Sequence, residues 1–158
     1  MTELTPENVQ CYPRPPQLER VDLPLTIHFA GKEIARTDSG FRVLETHHAP
    51  TYYLPQAHFL PGCLRPAKGQ SLCEWKGEAR YFDIVLGTSE AAGAAWCYPT
   101  PTAPFAALRG HIAVYAEPMD ACFVGDVQVT PQPGNFYGGW VTPNLIGTVK
   151  GAPGTNHW

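Results

Sequence analysis

No Cys-x-x-Cys pair, no Asp-x-Asp, no glycine-rich phosphate loop and no run of lysine or arginine occurs in the 158 residues. Each absence removes a function class. Structural zinc sites are usually written as two close Cys/His pairs. Here Cys73, Cys97, Cys122, His111 and His157 are far apart and would meet only through tertiary folding. No metal and no cofactor is therefore expected. The net charge of −3, with no basic run, lacks the electrostatic footprint of a nucleic-acid binder. No apolar stretch approaches the roughly 20 residues of a membrane span, so no membrane partner is expected. The first ten residues, MTELTPENVQ, have neither a basic nor an apolar leader region. Five cysteines at irregular spacing then read as reduced thiols in a cytoplasmic protein. Charge itself is scarce, at 16% against the roughly 25% of ordinary soluble domains.

What the chain has instead is Gly, Pro and aromatic side chains. Seventeen Pro and fifteen Gly punctuate short segments, and no long helical period appears. Residues 1–24 read as an extended, Pro-rich arm, because its Pro-rich part favours backbone that cannot join a sheet ladder. Residues 25–158 read as one β-rich domain. Leu25, Ile27 and Phe29 alternate with Thr26 and His28, giving a strand with one apolar face. EIART, FRVLET and TYYLP continue the pattern, SLCEW and EARYFDIVL form a hairpin around Lys76-Gly77, and HIAVYA and ACFVGDVQV follow. Ala57 to Gln70 reads as loop, Glu90 to Trp96 as a helical turn, and PFAAL, with Pro104 at its start, as a short helix. From Pro131 to Trp158, turn residues alternate with large aromatics. That composition is unlike a disordered tail and reads as ordered, irregular backbone wrapped against the domain.

Chemistry concentrates in two places. VLETHHAPTYYLP holds Glu45, His47 and His48; neighbouring histidines on a strand would point to opposite faces. CEWKGEARYFDIV holds Trp75, Lys76, Tyr81 and Asp83, the last two sharing a strand face. Trp75, Trp96, Trp140 and Trp158 each sit beside Gly, Pro or a polar residue. They serve either as plugs of a small core or as walls of a pocket. The candidate ligand-binding set is His47, His48, Trp75, Lys76, Tyr81, Asp83 and Trp140. Its expected occupant is a small flat or cyclic molecule in an aromatic-lined cleft. The alternative is an enzyme in which His47 or His48 acts as general base beside Glu45, Lys76, Asp83 or Asp120. Binding is favoured because acid–base groups are present but no spacing organises them. Cys122, near Asp120, invites a nucleophile reading, yet an apolar strand position would leave its thiol inert. The composition is also compatible with a homodimer.

VLETHHAPTYYLP, SLCEWKGEARYFDIV, AAWCYPTP, MDACFVG, PQPGNFYGGWVTPNL and KGAPGTNHW together resemble the domain-of-unknown-function 427 family, in that order from about Leu25 to Trp158. The resemblance implies a β-tent fold, two antiparallel sheets meeting at an angle, similar to methionine sulfoxide reductase B and the thalimidomide-binding domain of cereblon. Those relatives commonly hold zinc on two CxxC pairs, which this chain lacks. The nucleotidyltransferase-like label sometimes given to the family would call for a metal-binding Asp-x-Asp or a phosphate loop, and neither is present. The resemblance therefore implies a fold and leaves the activity open.

Overall fold

A computed structural model describes residues 3–134 and 136–155. The fold is mostly β, with 47% strand and 8% helical residues. Its largest unit is a seven-stranded antiparallel sheet. The strands are β2 (Gln17–Arg20), β5 (Phe41–Leu44), β6 (Thr51–Pro55), β7 (Leu64–Cys73), β8 (Gly77–Leu86), β9 (Ser89–Cys97) and β10 (His111–Val114). They run in the order β2-β5-β6-β10-β9-β8-β7. A four-stranded antiparallel sheet is ordered β12-β11-β3-β4, from β3 (Leu25–Phe29), β4 (Lys32–Thr37), β11 (Ala121–Val124) and β12 (Val127–Gln128). Two small pairs complete it: β1 (Glu7–Asn8) beside β15 (Leu145–Ile146), and β13 (Thr130–Pro131) beside β14 (Trp140–Val141).

Strand alternation builds two cores, one on each face of the large sheet. On β6, Tyr52 and Leu54 face one cluster while Tyr53 faces the other; on β10, Ile112 and Val114 oppose Ala113 in the same way. The larger cluster joins both sheets through Leu25, Ile27, Ile34, Leu54, Ile84, Ile112, Cys122 and Trp140. The smaller one gathers Tyr53, Trp96, Tyr98, Phe105 and Leu108 beneath the 3-10 segment Ala103–Leu108, which is where PFAAL was expected to form a short helix.

Four sequence expectations are corrected. Glu90 to Trp96 is strand, not a helical turn: it lies between β8 and β10, which supply ladder partners on both sides, and Ala91, Ala94, Ala95 and Trp96 are buried. Within it Gly93 takes φ +61° opposite a register shift between Phe82 and Ile84, so two extra residues bulge outward. The second half of the expected loop, from Leu64 onward, belongs to β7. Pro66 is tolerated there because β7 is the sheet's edge and needs no donor on its outer side. The N-terminal arm divides: Gln17–Arg20 pairs antiparallel with β5, whereas Pro13 to Pro16 lies outside any strand. His47 and His48 lie in the turn between β5 and β6, not on a strand. His47 there has φ +64°, so the opposite-face argument does not apply.

Candidate functional site

The wrap after β12 is held by short backbone distances. Trp140 donates its backbone N–H to Pro50 O at 2.8 Å and its indole N–H to Val114 O at 3.0 Å, and its ring stacks on Tyr52. Gln132, also buried, ties three segments together. Its Oε1 accepts from the Ala49 N–H at 3.1 Å, its Nε2 donates to Lys150 O at 2.9 Å, and its backbone N–H donates to Gly139 O. Gly138 is required where the wrap crosses Trp96, since a Cβ at that position would stand 2.1 Å from the indole ring.

An open cleft of about 630 Å³ forms where this wrap meets the sheet. Tyr81 of β8, Ala92 to Ala94 of the β9 bulge, Tyr115 to Pro118 after β10, and Pro131 to Gly134 and Tyr137 to Gly139 of the wrap supply its lining. Three tyrosines face it. Tyr81 shares a 2.7 Å hydrogen bond with Ser71 Oγ, and Tyr115 donates to Phe136 O at 3.2 Å while its ring packs 4.6 Å from Trp96. Tyr137 meets His48 edge-on at 5.2 Å. Burial pushes the Tyr115 phenol up, with Tyr81 adding to it, so the hydroxyl stays protonated. Among the described lining residues Glu117 is the one carboxylate, and none is Lys, Arg or His.

The structure brings together only some of the residues singled out above. Tyr81 lines the cleft. Trp140 does not: it is 0% exposed and belongs to the core, so no ligand reaches it without unfolding the wrap. Asp83 points away, to Arg65 at 2.8 Å on the edge strand, while its other oxygen accepts the Gly93 N–H at 2.7 Å. Those two bonds, Arg65 first, hold its carboxyl below the ordinary range. Asp83 thus shapes the cleft floor from outside by fixing the bulge. Trp75 packs partly buried against the smaller core, its carbonyl accepting from Thr102 Oγ1, and Lys76 lies 5.7 Å over the Tyr98 ring. His48 sits behind Tyr137 and Gln132, with Nδ1 3.4 Å from Gln132 Nε2 and Nε2 3.9 Å from Glu45. Burial, then Lys150, Lys76, Arg14 and His47, push its pKa down to about 4. Trp158 and His157 lie outside the described residues. Sequence reasoning missed Tyr115, Glu117 and Tyr137. The signal for the first two was Tyr115-Ala116-Glu117-Pro118, an aromatic, an acid and a proline directly after a strand.

Residues 17–125 match the family described as a domain of unknown function, DUF427. The chain belongs to this family. No curated protein matches it. The matched span begins at the first residue of β2 and ends just past β11, so it carries the whole seven-stranded sheet and most of the smaller one. The cleft of this DUF427 protein is therefore composite: Tyr81, the β9 bulge and Tyr115 to Pro118 fall inside the match, and the wall of Pro131 to Gly134 and Tyr137 to Gly139 falls outside it.

Among the described residues no group of three His, Cys, Asp or Glu side chains is placed to hold a metal ion. The cysteines differ sharply in environment. Cys11 is exposed, whereas Cys63 and Cys122 are buried, and burial pushes the Cys122 thiol up to about 12. Thiolate is the reacting species, so Cys122 is inert at neutral pH. A disulfide reagent should titrate Cys11 rapidly in the native DUF427 protein and reach Cys63 and Cys122 only in denaturant. A fast native phase that disappears in Cys122→Ala would contradict this assignment.

Proposed function

We propose that this DUF427 protein is a binding module for a small, flat, unphosphorylated molecule, neutral or positively charged, held in the cleft between the β9 bulge and the C-terminal wrap. The observation that carries this reading is the lining itself: Tyr81, Tyr115 and Tyr137 with Glu117, and no cation among the described residues. Aromatic faces favour flat or cationic groups, and tyrosine hydroxyls add hydrogen bonds at the rim. A carboxylate with no compensating base disfavours phosphate or carboxylate ligands by like-charge repulsion. The volume is within the usual range of small-molecule pockets. The enzymatic alternative draws less support, because His48 lies behind Tyr137 and Asp83 is engaged by Arg65.

The test is a thermal-shift and calorimetric screen with free bases, nucleosides, nucleotides and quaternary ammonium compounds. A fitting ligand at about 100 times its Kd should raise Tm by about 5–10 °C. Tyr115→Ala and Tyr137→Ala should remove that response while the circular dichroism spectrum is retained. Glu117→Gln should weaken a cation about tenfold and leave a neutral ligand unchanged. If no unphosphorylated probe binds, or binding survives both tyrosine substitutions, the reading is wrong.

A further inference from the structure

His48 meets Tyr137 and Gln132, two residues of the cleft lining, without being part of that lining itself. Arg36, Arg42, Arg65 and Arg80 are each neutralised by a neighbouring Glu or Asp. Arg14, Lys76 and Lys150 make no ion pair among the described residues, yet all three lie close enough to His48 to bias its titration. Three chain segments bring them there. Thr46 donates its backbone N–H to Pro13 O and its hydroxyl to Tyr12 O, which sets Arg14 beside the β5–β6 turn. Lys150 donates its backbone N–H to His47 O at 2.8 Å, which lays the C-terminal segment on the same turn. Lys76 arrives from the β7–β8 hairpin. Among the described residues the carboxylate that His48 meets is Glu45, 3.9 Å from Nε2.

We propose that the face built by Arg14, His48, Lys76 and Lys150 binds a small multivalent anion, a phosphate or a polycarboxylate. In a chain of net charge −3, three positive charges that make no ion pair among the described residues leave a local surplus that such an anion neutralises. The side chains come from three separate segments and can close around it with charge-assisted hydrogen bonds. His48 supplies a further donor once protonated. Burial first, and then the cationic wall, hold the pKa of that imidazole down; an anion offsets the cationic part, so binding and protonation of His48 favour each other. The ligand class is opposite in sign to that of the cleft, and the two sites are tested separately.

The experiment is titration of the full chain with inorganic phosphate, citrate and, at matched ionic strength, sodium chloride, followed by NMR. Saturable shifts confined to Arg14, the Thr46–Ala49 turn, Lys76 and Lys150 are expected with phosphate or citrate, and which anion saturates first identifies the class. At saturation the His48 ring titration should move up by about one pH unit. Lys150→Gln and Arg14→Gln should each weaken binding roughly tenfold. Lys68→Gln on the edge strand should leave it unchanged, and so should Tyr115→Ala in the cleft. Shifts reproduced by chloride, or an unmoved His48 titration at saturating anion, would overturn the proposal.

Discussion

Replacing Trp140 with alanine should lower the unfolding free energy by about 3–5 kcal/mol, a large share of what a domain of this size possesses. The side chain is fully buried, stacks on Tyr52, and belongs to the core shared by the two sheets. Its indole N–H donates to Val114 O, a buried carbonyl that loses this donor once the ring is gone. Trp140→Phe keeps most of the apolar area and loses that bond, so its cost should be about 1–3 kcal/mol. Because Trp140 also pairs with Pro131 across β13 and β14, truncation should loosen the wrap that walls the cleft. Urea unfolding of both variants checks the ranking. An alanine variant within 1 kcal/mol of wild type would mean that the ring is not part of the core.

This residue also shows where sequence reasoning succeeds and where it fails. The alternation of Leu25, Ile27 and Phe29 identifies β3 and its buried face, since period 2 translates directly into sides of a sheet. In the wrap no period exists. Tyr137 and Trp140 are three residues apart in the same Gly-rich string, one at the cleft and the other in the core, and only tertiary contacts decide which. The β9 strand was hidden for a different reason. Alanine and glycine favour helix or coil locally, and Glu90 to Trp96 becomes strand only because two neighbours supply its ladder. Asp83 and Tyr81 illustrate a third limit. Two residues apart, they would share a face on a regular strand, but the register shift after Phe82 intervenes between them. Tyr81 faces the cleft, and Asp83 turns to Arg65 and Gly93.

The second large effect is expected at Arg42, the residue that joins the N-terminal segment to the sheet. Its guanidinium donates to both oxygens of Glu7 at 3.0 Å and to Glu19 at 2.9 Å, and Glu7 also accepts from the Tyr12 hydroxyl. Only 16% of the Arg42 side chain is exposed, so the pair is largely desolvated, and removing one partner strands the other. Arg42→Met keeps the apolar stem and should cost about 2–3 kcal/mol, below the full figure for a buried pair because Glu7 retains some solvent contact. The pH profile separates this from simple loss of packing. In the wild type, burial pushes the Glu7 carboxyl up, but the hydrogen bonds from Arg42 and Tyr12 outweigh it and hold the group below its ordinary value of 4.5. The unfolded chain then binds the extra proton first. Stability from this group is present above pH 4.5 and is lost as the pH falls through the depressed folded value. In Arg42→Met the cation is gone and only the Tyr12 hydrogen bond still opposes burial, so the folded carboxyl rises relative to the wild type and the pH slope from this group weakens. The stability difference between wild type and variant should therefore shrink as the pH is lowered from 6 toward 3, by about 1–2 kcal/mol. Urea unfolding across that range decides it: a difference that stays constant with pH would show that Arg42 contributes through its methylenes alone.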